Sequence, residues 1–137
     1  MQIKHLDHLN LDVRDLKASA AWYGRVFGFE EVEQGVYLGH PWKILRAGVA
    51  MLAMYERPEA LPPPADWDSR KHLGINHFAL RIVDEATWRN TLARERIPLV
   101  HGEEIQWPHS TSWYINDPNG YDIEVVLWKQ DVIRFAA

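Results

Sequence analysis

Apolar and polar residues alternate through "HLNLDVRD", His8 to Asp15, with Leu9, Leu11 and Val13 on one parity and His8, Asn10 and Asp12 on the other. A period of two predicts a strand with one face in a core. Asp15 then precedes "LKASAAWYGRVFG", where an N-cap belongs, and Leu16, Ala20, Tyr23 and Phe27 make an apolar stripe at helical spacing. Gly28 stands where a helix closes on a left-handed residue. The pattern returns 69 residues later in "HFALRIVD": His77 matches His8, Phe78, Leu80 and Ile82 match Leu9, Leu11 and Val13, and Asp84 matches Asp15. A second helical run follows, "EATWRNTLARERI", with Trp88 and Leu92 at the matching spacing. Two strand–helix units in one order point to an internal duplication.

After each helix the chain turns strand-like. The first half offers "FEEVEQG", "WKILRAG" and "VAMLAMY"; the second offers "PLVHGEE", "TSWYIND" and "YDIEVVLW". The plan is β-α-β-β-β twice, an α+β fold with helices on one face of each sheet and a concave face left free. We expect a single domain over residues 1–137: a first module to about residue 57, a linker over about 58–73 rich in proline and charge, and a second module over about 74–129. By parity, His8 and His77 belong to the free face.

A third group joins that face. The turn "DPNG", Asp117 to Gly120, feeds the last strand, where Tyr121, Ile123, Val125 and Leu127 share one parity and Asp122, Glu124, Val126 and Trp128 the other. A glutamate flanked by Ile123, Val125 and Val126 is expensive to bury without a partner. A metal ion, a buried arginine or water in an open cleft would each serve. Read alone, either histidine is a strand residue satisfied by water or a hydrogen bond. His5, His40, His72, His101 and His109 lack the repeated framing, and solvation is the expectation for each, His109 being the one with a candidate role.

Composition narrows the classes. The chain has 137 residues, no cysteine and a net charge of −4 with both signs mixed. Thiolate sites and disulfides are excluded, and the absence of clustered Lys and Arg makes nucleic acid an unsuitable partner. No apolar run reads as a signal peptide or membrane span, so the expectation is a cytoplasmic protein with no membrane partner. Seven tryptophans are many for this length. They suit ordinary packing, and Trp42, Trp107 and Trp113 also suit stacking on a planar small molecule.

The segments "DHLNLDVRDL", "INHFALRI" and "DPNGYDIEVV" resemble the three ligand motifs of the vicinal oxygen chelate superfamily, which includes glyoxalase I, bleomycin-resistance proteins, fosfomycin-resistance enzymes and extradiol dioxygenases. The resemblance runs from Ile3 to about Lys129. It implies paired β-α-β-β-β modules forming a cup around a divalent metal, often in a homodimer, with His8, His77 and Glu124 as ligands. Free sheet edges independently make a homodimer the expectation.

The branches of the family differ in ways this chain can be compared with. Glyoxalase I resembles it but adds a ligand glutamate on the last strand of the first module, where Leu52 stands, with Glu56 at the strand end the nearest substitute. Fosfomycin-resistance transferases share a serine and a tyrosine, here Ser112 and Tyr114, yet their phosphonate-binding lysine and arginine fall at or near Glu104 and Ile133. Extradiol dioxygenases place a tyrosine ten residues before the ligand glutamate, and Tyr114 lies ten before Glu124. Period-two reading puts Ser110, Ser112 and Tyr114 on one strand face. Tyr114 then either donates a hydrogen bond at the site or packs with its hydroxyl at the rim.

The resemblance implies a metal enzyme acting on a small molecule, extradiol dioxygenase-like in preference to a glyoxalase-like lyase or isomerase. The metal would be Fe2+ or Mn2+, with Ni2+ or Zn2+ the alternatives. Tyr114 would be the catalytic donor, and Ser112, Trp42, Trp107 and Trp113 the substrate contacts. A metal-free binding protein of the bleomycin-resistance type is the reading from another class.

Overall fold

Asp15 and Asp84 start the two helices by the same local device. Each holds an extended backbone, and each side chain accepts the backbone N–H three residues on, Ala18 at 2.8 Å and Thr87 at 3.1 Å. These contacts come from a computed structural model that describes residues 1–63 and 73–135. The expected linker falls mostly on residues 64–72, outside the described ones. The chain divides into two compact units, Met1–Leu61 and Pro62–Ala137. Each is β-α-β-β-β, as the repeated pattern predicts.

In the first unit β1 (Leu9–Val13) leads into α1 (Leu16–Phe27), then β2 (Glu30–Tyr37), β3 (His40–Ala47) and β4 (Ala50–Glu56). The sheet order is β1-β4-β3-β2, with β1 parallel to β4 and the remaining pairs antiparallel. Parallel strands cannot be joined by a tight turn, and the connection from β1 to β4 runs through α1, β2 and β3. Leu11, Val13, Leu45, Leu52 and Met54 of the sheet are buried, as are Leu16, Tyr23 and Val26 of α1, which packs on β3 and β4. The helical stripe centres on Leu16, Ser19, Tyr23 and Val26, one residue round from the expected line, with Ala20 and Phe27 at its flank.

In the second unit β5 (Phe78–Arg81) precedes α2 (Glu85–Glu95), β6 (Ile105–Gln106), β7 (Ser110–Asn116) and β8 (Asp122–Trp128). Here the order is β5-β8-β7-β6, with β5 parallel to β8. The strand expected over "PLVHGEE" shrinks to two residues further on. Pro98 has no N–H to donate, and a turn closed by Gly102 N–H on Leu99, with Gly102 at φ 78°, diverts the chain. From that segment Val100 makes a backbone bond to β7, donating to Tyr114 O at 2.8 Å. Ile123, Val125, Trp113 and Ile115 are fully buried, on the face where Trp88 and Thr91 of α2 are also buried.

The two helices end differently. Gly28 closes α1 at φ 72°, whereas α2 closes on Arg96 at φ 55°, a left-handed conformation that costs a side-chain-bearing residue about 1 kcal/mol. Arg96→Gly should therefore raise stability by up to about 1 kcal/mol in urea unfolding, less the entropy that glycine adds to the unfolded chain. No gain, or a loss, would show that the Arg96 side chain holds more than the backbone strain costs.

Candidate metal centre and ligand cavity

Glu124 sits at the middle of β8, between Ala79 of β5 and Tyr114 of β7 in the cross-strand register. Its side chain keeps only 15% of its surface exposed, so an unanswered negative charge there would be costly. Three neighbours answer it. Ser112 Oγ donates to Oε1 at 2.5 Å, the Tyr114 hydroxyl bonds to the carboxylate, and His77 Nε2 lies 3.2 Å from Oε2. The parity expectation holds: Ile123 and Val125 turn to the helix, and Glu124 and Val126 turn away from it to line the cavity.

His77 stands one residue before β5, and His8 one residue before β1. Their ring orientation repeats with the duplication. His77 Nδ1 lies 2.8 Å from Asn76 Oδ1, and His8 Nδ1 lies 2.8 Å from Asp7 Oδ2. Both oxygens accept, so each Nδ1 carries the hydrogen and each Nε2 is left to present a lone pair or bind a proton. Asp7 and Asn76 are themselves at matching repeat positions, two residues upstream of the strands and outside the alternation. The hydrogen bond from His8 holds the Asp7 carboxyl below the usual carboxylate range.

An imidazole lone pair and a carboxylate oxygen 3.2 Å apart repel unless a positive charge lies at them. A proton on Nε2 satisfies that need as an ion pair, and a divalent cation satisfies it as a shared ligand pair, so this donor set fits a metal. Among the described residues, no group of three or more His, Asp or Glu side chains stands assembled as a metal cluster. His77 and Glu124 are brought together within the second unit; His8 belongs to the first.

Tyr114 is the third partner of the glutamate. Burial, the negative charge of Glu124 and the hydrogen bond to it push the phenol up to about 12, so it stays a neutral donor at ordinary pH. Its ring meets His77 edge-on at 5.6 Å and His101 edge-on at 5.1 Å between centroids. His101 is exposed but has this aromatic contact.

Next to these groups a cavity of about 520 Å³ opens in the second unit. His77, Tyr114 and Glu124 line it, as do Ser110, Val126 and Trp107. Trp128, Arg81 and the C-terminal residues Ile133, Arg134 and Phe135 complete the wall. The alternation places Trp128 on this face, whereas the segment after β8 carries no periodic signal that would place Ile133, Arg134 and Phe135.

Two expected substrate contacts require correction. Trp113 is fully buried, pairs with Val125 on the helix side and lies under the Arg89 guanidinium of α2, 5.6 Å from its ring centroid. The period that places Ser112 and Tyr114 on one face necessarily puts Trp113 on the other. Ser112 is on the expected face but is wholly buried, its hydroxyl bound to Glu124 beneath the cavity wall. It positions the carboxylate and does not touch the cavity. Trp42 lies in the first unit, half-buried, its ring so close over Gly35 that a side chain there would collide with it.

The remaining histidines have local roles. His40 bonds to Arg57, so it is not simply solvated, and His109 buries its Nε2 without a partner outside the cavity. His72 lies outside the described residues. Glu56 is not free to act as a ligand: it accepts the Leu16 N–H at the start of α1 at 2.9 Å. Leu52 is buried and pairs with Leu9 on the helix side.

A family model described as Glyoxalase/Bleomycin resistance protein/Dioxygenase superfamily matches residues 5–125. The chain belongs to this superfamily. No curated protein matches it. A solved glyoxylase/bleomycin resistance protein/dioxygenase domain from Frankia sp. EAN1pec superposes with a TM-score of 0.78 at 17% identity, covering 96% of each chain. The lactoylglutathione lyase of Agrobacterium tumefaciens is 28% identical with a TM-score of 0.66, over 93% of this chain and 96% of its own. The fosfomycin resistance protein FosX of Listeria monocytogenes gives a TM-score of 0.69 at 20% identity, covering 90% of this chain and 91% of its own. These likenesses agree with the repeated β-α-β-β-β units.

The raised phenol predicts an alkaline signature. The native state binds the Tyr114 proton more tightly than the unfolded chain does, so its contribution is complete below pH 10 and is lost as pH rises from 10 towards 12. In a difference titration of tyrosinate absorbance against Tyr114→Phe, the missing component should titrate near pH 12. A missing component at the ordinary tyrosine value would contradict the contact with Glu124.

Proposed function

We propose that this protein is a divalent-metal-dependent enzyme acting on a small molecule, with His8, His77 and Glu124 as metal ligands. The observation that carries this reading is the shared device at the two histidines, each with Nδ1 anchored by the preceding residue and Nε2 presented. At His77 the presented nitrogen meets the Glu124 carboxylate. Two imidazoles and one carboxylate form a ligand set that leaves positions open on the ion. When bound, such an ion supplies a Lewis acid and, if redox-active, a route for electrons to dioxygen.

The chain's own groups divide the remaining work. Ser112 and Tyr114 hold the carboxylate in place, and the neutral Tyr114 hydroxyl can turn its proton to charge developing on a substrate oxygen in the cavity. Val126, Trp107 and Trp128 exclude water from the substrate's apolar part. Of the reactions in the superfamily, extradiol dioxygenase-like chemistry is the one we favour. Tyr114 suits it, and the fourth ligand of a glyoxalase has no counterpart, since Leu52 is apolar and Glu56 is engaged at α1. A glyoxalase-like lyase is the second reading, favoured by the 28% identity to lactoylglutathione lyase along nearly the whole chain. Fe2+ or Mn2+ fits the first; Ni2+ or Zn2+ suffices for the second. The free edge strands and the exposed Val36 and Tyr37 of edge strand β2 support a homodimer.

Protein purified without chelator should carry close to one metal per chain, and His77→Ala should lose most of it. Reconstituted separately with iron, manganese, nickel and zinc, the protein should consume oxygen with a catechol only when iron or manganese is present. Isomerase activity on the hemithioacetal of methylglyoxal and glutathione, anaerobic and with nickel or zinc, would decide for the lyase. Tyr114→Phe should keep its metal while turnover falls by about ten- to a thousand-fold. Full metal occupancy in both His77→Ala and Glu124→Gln would remove the ligand assignment. Light scattering should report a dimer, and a monomer at every concentration would contradict that part.

A further inference from the structure

The cavity beside Glu124 has two chemically different ends. Along β8, Glu124 and Trp128 are four residues apart, about 13 Å of extended chain, with Val126 between them on the same face. At the Glu124 end stand His77 and Tyr114. At the Trp128 end the chain leaves the sheet and folds back, so that Phe135 meets the Trp128 ring edge-on, 5.3 Å between centroids at 86°. Two flat rings at a right angle make a corner that a third planar group can fill.

The charges are distributed in the same way. Besides the neutral Tyr114, four ionisable groups line the cavity: His77, Glu124, Arg81 and Arg134. Glu124 is answered by its three neighbours. Arg81 donates to Asp131 at 2.7 Å, an ion pair that also ties the C-terminal segment to β5. Arg134, beside Phe135, has no acidic partner among the described residues. A guanidinium without an acidic partner among the described residues, in a wall shared with Trp107, Trp128 and Phe135, is suited to a carboxylate or similar planar anion, which it can grip with two parallel hydrogen bonds.

We propose that the cavity takes an organic anion with an aromatic body, the body held by Trp107, Trp128 and Phe135 and the acidic group by Arg134. This rests on the reading of the cavity as the substrate site, and it adds which class of small molecule enters and which residue selects it. The anion is gripped far from Glu124, so the opposite end of the molecule is the part presented to His77, Glu124 and Tyr114. Arg81 and Asp131 are positioning residues that hold the segment carrying Arg134 against the sheet.

The test compares 1-naphthoate with its neutral isostere 1-naphthamide, followed by quenching of tryptophan fluorescence. Wild-type protein should bind naphthoate about tenfold or more tightly than naphthamide. Arg134→Gln should remove that preference and leave naphthamide binding within about twofold, while Phe135→Ala should weaken both probes by the same factor. Equal wild-type affinities, no binding of either probe at millimolar concentration, or a naphthoate preference that survives Arg134→Gln would each overturn the proposal. The last outcome would place the carboxylate on another cation, a metal included. Metal binding measured on the same preparations keeps the two readings apart: protein that takes up none of iron, manganese, nickel or zinc on reconstitution yet still shows the Arg134-dependent preference refutes the metal enzyme and supports the anion site.

Discussion

A carboxylate in the middle of an otherwise apolar strand is the constraint around which the second unit is arranged. Glu124 is flanked by Ile123, Val125 and Val126, all buried. Its charge needs donors, and the sheet supplies them from both neighbouring strands. Ser112 and Tyr114 come from β7 in the same facing register, and His77 comes from the lead-in to β5. Replacing any one by an apolar residue would leave the others around a less satisfied charge. Burial, together with the same charge and the hydrogen bond to it, keeps the Tyr114 phenol protonated, so the packing that encloses the carboxylate also preserves the proposed donor.

The duplication repeats one local arrangement in each unit. In each unit a strand pairs in parallel with the last strand of its own sheet, and the residue before that first strand is a histidine whose Nδ1 is fixed by its predecessor. Duplicating the strand therefore duplicates a prepared imidazole. The two modules have since diverged where the last strand is concerned. The first unit's strand β4 runs Leu52, Ala53, Met54 without an ionisable group, and its terminal Glu56 caps a helix. In the second unit the corresponding strand carries Glu124.

Alternation made most of this legible. The faces of β1, β5 and β8, the two N-cap aspartates and the C-terminal glycine of α1 follow from spacing alone, because one face of each element is buried and a slip of one residue would invert it. The same rule shows why Trp113 cannot share a face with Tyr114, and why tryptophan as a residue type was a poor guide to the cavity. Less regular segments were not legible. The chain between α2 and β7 is mostly turns, with the two-residue strand β6 and one backbone bond from Val100, and residues 129–135 carry no period, so neither Val100's link to Tyr114 nor the wall formed by Ile133, Arg134 and Phe135 could be read from spacing. Their positions depend on tertiary contacts, the Arg81–Asp131 ion pair and the Trp128–Phe135 ring pair among them.

The central claim is that the two imidazoles are prepared alike, with hydrogen on Nδ1 and Nε2 presented to a cation. Nitrogen-detected NMR of the histidine rings reads this directly. In metal-free protein at neutral pH, His8 and His77 should show a protonated Nδ1, with Nε2 unprotonated or, at His77, sharing a proton with Glu124. On adding one equivalent of Zn2+, the Nε2 resonances of these two histidines should shift together while their Nδ1 resonances stay protonated, and those of His5, His40 and His109 should stay in place. A His77 ring bearing its only hydrogen on Nε2, or a zinc-induced shift confined to other histidines, would contradict the account.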